Sequence, residues 1–313
     1  MRVNLDEAII KLQNGEVVAI PTETVYGLAA DASNDNALRQ IYAIKQRPAD
    51  NPLIVHIADV NQVDDWAAEF SPLAQKLAHA FWPGPFTLVF PAKPHVSNIL
   101  RGNQSTVALR VPNHELTLKL LKQSGLALAA PSANKFTQLS PTTAAHVTAS
   151  LGDAVAVLDG GACEVGIEST IVAIQGENWQ LLRLGMLPEA NIHAVAGCAA
   201  TKVAQAIKAP GQHALHYSPR TPIQLFTSRA DLISHANTHT NLRTAALLLG
   251  AGAVPNCTYF ELNNNANDVA QKLYETLHTM DALNAEELLI ETPPNAPEWL
   301  AILDRLTRAA HAE

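Results

Sequence analysis

The sequence predicts an α/β protein with two domains, the first built on a mixed sheet and the second on a smaller parallel sheet. The chain has 313 residues, which is long for a single core. Many short apolar strands with intervening helices fill its first two thirds, which favours an α/β or α+β domain. The last third alternates strand and helix, as parallel three-layer domains do. We predict a first domain over 1–197, a linker over 198–222 and a second domain over 223–313.

Composition excludes several classes of protein. The apolar fraction of 48% and charged fraction of 16% are typical of an ordinary globular chain. A formal net charge of −8 argues against a general nucleic-acid-binding surface, because phosphate contacts require clustered Lys and Arg. The three cysteines form no CxxC pair, which disfavours a structural zinc site or disulfide framework. Without a signal-like N-terminus or an apolar run of membrane-spanning length, we expect a cytoplasmic protein with no membrane association.

Apolar spacing and breakers predict the elements of the first domain. The first helix is capped by Asn4, has Glu7 three positions later, and stops at Gly15. Later helices are expected at 37–45, 63–68, 73–81 and 115–123. Ser140 then caps a further helix with Pro141 at its first position, an N-terminus suited to an anion. Strands are expected at 17–20, 53–57, 87–90, 106–111, 126–130, 155–158, 171–174 and 181–184.

The second domain follows a stretch rich in Pro and Gly, residues 209–222, which reads as an ordered linker. Strands are predicted at 223–226, 245–249, 258–261 and 288–291. Helices are predicted between and after them, at 230–236, 269–280 and 299–309. The residues of this domain suggest no catalytic set, and its role and the oligomeric state stay open.

Four cations at the ends of strands and helices indicate an anion site. Lys45 and Arg47 end a helix just before the strand that carries His56. Cations in that position also commonly face solvent, so this pair has an ordinary alternative interpretation. Arg110 and Arg183 lie on apolar strands, where an arginine needs a partner.

Polar turns accompany those cations. Ser132 and Asn134 follow one predicted strand, and Ser169 precedes another. Hydroxyl and amide groups beside several cations suit a polyanion with polar substituents. No GxxxxGK[ST] loop, HExxH pair or clustered metal-ligand spacing is present in the sequence. We therefore expect no permanently bound metal.

Six ordered motifs carry a resemblance to a known family. They are PTETVYGLAADA, KQRPADNPLIVHI, FWPGPFTLVFPA, VALRVP, APSANKFTQLSPTTA and GIESTIVAI. Together they resemble the YrdC/Sua5 family, the threonylcarbamoyl-AMP synthases of tRNA modification. The linker ending in HYSP and the domain after it are similar to the two-domain Sua5 form.

The resemblance implies a fold and a reaction. The fold would be a twisted mixed sheet with a large, positively lined concave cavity, followed by a smaller Rossmann-like α/β domain. The reaction would convert L-threonine, bicarbonate or CO2, and ATP into threonylcarbamoyl-AMP and pyrophosphate. A downstream threonylcarbamoyl-transferase complex would then modify adenosine 37 of tRNAs that read codons beginning with A; direct tRNA binding is possible but not required.

The same resemblance implies site residues, carried over motif by motif. Threonine would be contacted by Thr24, His56, Arg110, Ala130 and Ser169. ATP, which brings its own Mg²⁺, would be contacted by Lys45, Arg47, Asn51, Thr106, Ser132, Asn134, Ser140, Arg183 and the linker residue Tyr217. Lys45 and Arg47 would neutralise phosphate charge during the reaction, Arg110 would hold the threonine carboxylate by a bidentate fork, and the linker would close as a lid.

Two alternatives remain from the sequence. The same residues could form a non-catalytic site for RNA or a nucleotide, although the acidic balance and the absence of aromatic RNA-binding signatures disfavour it. A related carbamoyl-transfer enzyme of hydrogenase maturation is the other alternative. The cysteine pairs expected for that enzyme's zinc-finger-like segments are missing from this sequence.

Overall fold

A computed structural model describes residues 1–201, 207–211 and 216–310. The chain divides into two compact units. The first unit comprises Met1–Phe136 and Pro141–Gln212, and the second comprises Thr137–Ser140 and His213–Glu313. The linker residues Gln212 and His213 lie outside the described residues.

The first unit combines short strands with seven helices in its described part. Its strands are β1 (Arg2–Val3), β2 (Val18–Ile20), β3 (Gly27–Asp31), β4 (Ile54–His56), β5 (Phe86–Pro91), β6 (Thr106–Arg110), β7 (Leu128–Ala129), β8 (Ala156–Leu158), β9 (Thr170–Gln175) and β10 (Asn178–Arg183). Its helices are α1 (Leu5–Gln13), α2 (Asp35–Lys45), α3 (Val63–Trp66), α4 (Pro72–Phe81), α5 (Glu115–Ser124), α6 (Ala144–Leu151) and α7 (Glu189–Ala196).

The strands join into one mixed sheet, as predicted. Over the described residues its order is β1-β8-β2-β3-β7-β4-β6-β5-β9-β10. β4 pairs with β6 and β5 with β9 in parallel, while β7 pairs antiparallel with both β3 and β4. Distant segments of the chain therefore become neighbours at the centre of the sheet.

Strand alternation divides the core between the two faces of this sheet. Leu28 and Ala30 of β3 belong to one buried cluster, which also contains Leu38 of α2 and Leu77 of α4. Ala29, between them, belongs to another cluster that includes residues of α1 and α5. Successive side chains of a strand point to opposite faces, so the two clusters mark the two faces.

Polar side chains concentrate on one face of the central strands. Arg110 alternates with Leu109 of the first cluster and shares its face with Ala108, which lies in a smaller cluster with Ile54. His56 is two residues from Ile54 and is the register partner of Arg110. Their side chains therefore leave the sheet on the same side.

Two local predictions for the first unit differ from the structure, and neither the short strand β1 nor the helix α7 is predicted from the sequence. The sequence predicts a loop where β3 lies, because its alanines and glycine have little strand preference. Ser140 does not cap a helix: α6 begins at Ala144, and Thr143 caps it by accepting a hydrogen bond from the backbone of His146. The expected anion-binding helix N-terminus at Ser140 and Pro141 is therefore wrong. The carbonyl oxygen of Pro141 instead accepts a hydrogen bond from the Tyr26 backbone.

The second unit is a small three-layer α/β domain. Its strands are β11 (Ile223–Phe226), β12 (Thr244–Leu249), β13 (Thr258–Leu262) and β14 (Glu287–Glu291), and its helices are α8 (Arg229–Thr238), α9 (Ala266–Asp281) and α10 (Leu300–Ala310). The strands are parallel in the order β11-β14-β12-β13. Leu248 packs with Leu232 of α8, whereas Leu247 points to the opposite face. The predicted fold class of a mixed-sheet domain followed by a parallel-sheet domain is confirmed.

The large concave cavity expected over the first sheet stays a prediction. A crevice of about 290 Å³ in the first unit is bordered by Ala32, Trp66 and Val96 and by none of the predicted site residues. Among the described residues, no helix has the length and hydropathy that crossing a bilayer requires.

Candidate active site

Arg110 is the central charge of one half of the site. It ends β6 with its side chain 4% exposed, and its Nε donates to the carbonyl oxygen of Gly84 at 3.2 Å. Nη1 donates to Oγ1 of Thr24 at 2.9 Å, and Nη2 lies 2.7 Å from Oε1 of Glu23. The residue expected to hold a substrate carboxylate thus already has a carboxylate beside it.

His56 stands next to Arg110 and is uncharged. Burial, and then the positive charge of Arg110, lower the pKa of His56 to about 3. Ala130 directly follows β7, the strand next to β4, and donates its backbone N–H to the carbonyl oxygen of Ile54. A neutral imidazole offers one donor and one acceptor, so His56 can contact a hydroxyl without adding charge.

Ser169 connects this half of the site with Arg183. Its hydroxyl lies 2.7 Å from Oγ1 of Thr87 and accepts a hydrogen bond from Nη2 of Arg183 at 3.0 Å. Arg183 also donates Nε and Nη2 to the carbonyl oxygen of Ser169. A register shift in β10 just before Arg183 places it opposite Ile171, whose side chain lies on the polar face. One arginine thereby holds both the backbone and the side chain of Ser169.

Lys45 occupies the last position of α2 and is buried. Gln46 ends the helix in the left-handed conformation, and Lys45 Nζ donates to the carbonyl oxygens of Ser132 and Asn134. Lys45 is 1% exposed, and this burial holds its pKa well below the ordinary value. The alternative interpretation of Lys45 as a solvent-facing cation is wrong.

Arg47 adds a second cation to this half of the site. It is 8% exposed, its Nη2 donates to the carbonyl oxygen of Pro52 at 3.2 Å, and its guanidinium lies 5.8 Å from the ring centre of Phe136. Asn51 is buried nearby, and its carbonyl oxygen accepts a hydrogen bond from the hydroxyl of Tyr42. Solvent exposure of Arg47 is therefore also excluded.

Positive charges outnumber negative ones among the groups that act on Lys45. The positive charges of Arg47 and Lys135 lower the pKa of Lys45, after burial as the main cause, and the negative charge of Glu168 raises it. The basic side chains of Lys45, Arg47 and Lys135 thus repel one another, and the carboxylate of Glu168 offsets part of that repulsion. Such an arrangement favours an anion, because a polyphosphate would relieve the repulsion between the cations.

The remaining predicted residues lie in two places. Thr106 begins β6 and shares the face of Arg110, which lies four positions on. Ser140 and Tyr217 belong to the second unit. Tyr217 is 1% exposed there, with its ring centre 4.9 Å from the guanidinium carbon of Arg305, and the carbonyl oxygen of Ser140 lies 3.1 Å from Nε2 of His278. The contacts of Thr106, Ser140 and Tyr217 with ATP stay predictions.

Sequence reasoning missed three buried polar residues. Glu23 and Glu168 lie within the family motifs but receive no role from the resemblance, and Thr87 counts there only as part of a strand. Each stands beside a predicted site residue: Glu23 beside Arg110, Thr87 beside Ser169, and Glu168 in the electrostatic field of Lys45. For Glu23 the sequence offers only its position between two threonines in the stretch TET at 22–24, which is ordinary in a loop and does not reveal its burial. In the parts of the chain that the structure describes, no three His, Cys, Asp or Glu side chains are grouped to hold a metal ion.

Comparisons with known proteins also divide the chain into two parts. A family model described as telomere recombination matches residues 11–185, and one described as the threonylcarbamoyl-AMP synthase C-terminal domain matches residues 187–311. The threonylcarbamoyl-AMP synthase of Pyrococcus abyssi is 35% identical over 96% of this chain and 92% of its own length. The chain belongs to the threonylcarbamoyl-AMP synthase family.

Other members of the threonylcarbamoyl-AMP synthase family support the assignment over both units. The Bacillus subtilis enzyme is 36% identical over 97% of this chain and 92% of its own. The solved structure of P. abyssi Sua5 complexed with L-threonine matches with a TM-score of 0.90 at 34% identity, covering 99% of this chain and 96% of that one.

A more distant likeness concerns the fold alone. Full-length HypF, solved in a phosphate- and nucleotide-bound form, matches 59% of this chain and 30% of its own at 18% identity, with a TM-score of 0.52. The threonylcarbamoyl-AMP synthases of P. abyssi and B. subtilis match nearly the whole chain, second unit included. The family assignment therefore rests on them.

Proposed function

We propose that the protein forms L-threonylcarbamoyl-AMP and pyrophosphate from L-threonine, bicarbonate or CO2, and ATP carried with Mg²⁺. Two balanced steps suffice. The threonine amine adds to CO2 and loses a proton to give a carbamate. A carbamate oxygen then attacks the α-phosphorus, and the bond to the bridging oxygen breaks as pyrophosphate leaves.

The contact between Ser169 and Arg183 is the observation that carries this proposal. Ser169 belongs to the residues proposed for threonine, and Arg183 to those proposed for ATP. Their hydrogen bond of 3.0 Å joins the two sets. A carbamate formed at the threonine residues therefore lies close to the α-phosphorus of ATP held at the nucleotide residues. A reaction between two substrates requires this proximity.

At the amino-acid end, Arg110 and Thr24 receive the carboxylate, and neutral His56 contacts the hydroxyl. Hydrogen bonding to that hydroxyl is what separates threonine from valine, because a polar site loses its partner when the hydroxyl is absent. Ala130 and Ser169 complete this end.

At the nucleotide end, Lys45, Arg47 and Arg183 neutralise the phosphates. The other contacts to ATP come from Asn51, Thr106, Ser132, Asn134, Ser140 and Tyr217. No protein nucleophile takes part, so catalysis consists of in-line placement and charge stabilisation.

The product has a destination beyond this chain. A downstream transferase complex passes the threonylcarbamoyl group to adenosine 37 of tRNAs that read codons beginning with A. The use of ATP and tRNA fits the expected cytoplasmic location. The linker around Tyr217 closes as a lid that shields the adenylate from water.

A direct assay tests the proposal. Purified protein given L-threonine, bicarbonate and Mg-ATP is expected to release pyrophosphate and to form an adenylate visible by mass spectrometry. Arg47→Ala should raise the ATP requirement, and Arg110→Lys, which keeps the charge but loses the fork, should raise the threonine requirement. Pyrophosphate release that is independent of threonine would contradict the proposal.

The matched control is Arg39→Ala, which removes an exposed arginine from the same helix as Lys45. It should behave as wild type. Melting curves of all three variants distinguish a lost contact from a lost fold. Full activity of folded Arg47→Ala and Arg110→Lys proteins would overturn the residue assignment.

A further inference from the structure

Glu23 is a buried carboxylate that the proposed chemistry has not used. It lies in the loop between β2 and β3, 2% exposed, and its backbone carbonyl oxygen accepts a hydrogen bond from Val165. Its Oε1 lies 2.7 Å from Nη2 of Arg110. Both charges of this pair are thus removed from bulk solvent.

The hydrogen-bonding capacity of this pair is unfilled. Neither carboxylate oxygen of Glu23, nor Nη2 of Arg110, makes a hydrogen bond of regular geometry with any described residue. Burying a carboxylate without donors is costly, so such a group in a folded protein requires an explanation. An ion pair with open donors and acceptors at its centre can receive a ligand that supplies both.

The neighbours of this pair leave donors of Arg110 available and add no competing charge. Gly84 and Thr24 accept hydrogen bonds from Nε and Nη1 of Arg110, and the remaining hydrogens of Nη1 and Nη2 can bind Glu23 or the two oxygens of a substrate carboxylate. His56 adds no competing charge, because its pKa is about 3. Burial raises the pKa of the Cys163 thiol to about 12, so that neighbour is also uncharged near neutral pH.

We propose that Glu23 binds the α-ammonium group of the amino-acid substrate while Arg110 binds its carboxylate. This inference rests on the proposed function, since it names the group that recognises the amine. A zwitterionic amino acid carries both charges on one carbon, and it replaces one internal ion pair by two ion pairs with the protein. A ligand with only one of the charges leaves the other buried ion without its counter-charge.

Binding measurements on the unaltered protein test the inference first. Calorimetry would compare L-threonine with 3-hydroxybutyrate, which lacks the amine, and with N-acetylthreonine, whose nitrogen is uncharged. Threonine should bind about tenfold to hundredfold more tightly than either, as expected for loss of a charged hydrogen bond. Equal affinity for the three ligands would overturn the inference without any variant.

Glu23→Gln then distinguishes recognition from support of Arg110. The variant should lose threonine affinity while retaining most of its affinity for 3-hydroxybutyrate, so that the preference for the amine disappears. Glu164→Gln, which changes an exposed carboxylate in a nearby loop, is the matched control and should bind as wild type. Equal weakening of both ligands by Glu23→Gln would show a merely structural role.

The outcomes separate this inference from the proposed reaction. Protein that prefers the amine but forms no adenylate supports the Glu23 site and contradicts the proposed function. Protein that forms the adenylate while Glu23→Gln keeps the full preference for threonine contradicts the Glu23 site alone. Failure of the unaltered protein to bind threonine overturns both.

Discussion

At the scale of single residues, burial changes what the cations and histidines of the sequence can do. His56 and Lys45 both lose their charge more readily than free side chains do, because water is excluded from them. Arg110 and Arg47 stay charged, since an arginine is not deprotonated in proteins. The site therefore combines permanent and conditional positive charges.

Lys45 gives a residue-scale prediction about proton uptake. Burial, and then the charge of Arg47, hold the pKa of Lys45 well below its ordinary value. At pH values between the lowered and the ordinary pKa, Lys45 is neutral in the free protein. A bound triphosphate favours the ammonium form, so Mg-ATP binding should take up a proton. Calorimetry in buffers of different ionisation enthalpy measures that uptake.

Lys45→Met should abolish the uptake, and the exposed-residue control Lys122→Met should retain it. The sign for stability follows from the same shift. The pKa of Lys45 is lower in the folded protein than in the unfolded chain. The contribution of Lys45 to the free energy of unfolding is therefore fully present above the unfolded pKa, and it is lost as the pH falls towards the folded pKa. The Lys45→Met protein should therefore gain stability relative to wild type as pH is lowered across that window. An unchanged proton uptake by Lys45→Met would contradict the assignment.

The sequence indicated the types of the polar residues in the candidate site better than it indicated their contacts. The four cations and the hydroxyl-rich turns were identifiable by type and by position at element ends. Glu23 was not, because a glutamate between two threonines in a loop is ordinary until its burial is known. His56 and Arg110 lie far apart in the sequence, and only the parallel pairing of β4 with β6 makes them neighbours.

At the scale of secondary-structure elements, most helices and strands lie within a few residues of their predicted bounds. The exceptions have physical causes. β3 is a central strand composed largely of small residues, so its order comes from pairing with β2 and β7 rather than from its own propensity. The predicted start of α6 is misplaced because Ser140-Pro141 and Thr143 both resemble caps, and tertiary contacts decide between them.

Gly185, just after β10, gives an element-scale prediction. A Cβ at this position would lie 2.3 Å from the backbone nitrogen of Thr170 and 2.7 Å from the carbonyl carbon of Ser169. Gly185→Ala must therefore displace the strand that presents Ser169. We expect a cost of about 1–3 kcal/mol in unfolding free energy, as for other overpacked sites, together with a raised threonine requirement. Denaturant unfolding and threonine titration measure the two effects.

The control for that variant is Gly125→Ala at the end of α5. Gly125 has a φ of +71°, and a Cβ added there would meet no atom of the described residues within 4 Å, so alanine is strained without touching the site. The Gly125→Ala protein should lose stability with no change in threonine use. If both variants changed threonine use equally, the close approach of Gly185 would not be its cause.

At the scale of the whole molecule, the chain has a separate hydrophobic core in each unit and a negative net charge. The first unit has residues on both faces of its mixed sheet buried, and the second builds its own core around a parallel sheet. The positive side chains of the site are buried within this acidic protein, whose net charge is −8. The protein can therefore attract a polyphosphate at this site while its overall negative charge repels a large polyanion such as RNA.

That charge balance gives a whole-molecule prediction about RNA. Affinity for a nucleic-acid backbone comes mainly from Lys and Arg that release counterions. We therefore expect no retardation of unmodified tRNA by the protein alone at an ionic strength of about 0.15 M. A gel-shift titration, with a basic tRNA-binding protein as the positive control, measures it. Submicromolar binding that weakens steeply with salt would show a basic surface that the net charge conceals.

The hydrogen bond between Ser169 and Arg183 has a thermodynamic consequence. Its partners belong to the residues proposed for different substrates, so a change at either end alters the contact that both share. Any factor by which ATP alters the affinity for threonine must then equal the factor by which threonine alters the affinity for ATP. The order in which the two substrates are added cannot change that factor. In the proposed site, the hydroxyl of Ser169 is the group through which the two binding equilibria are linked.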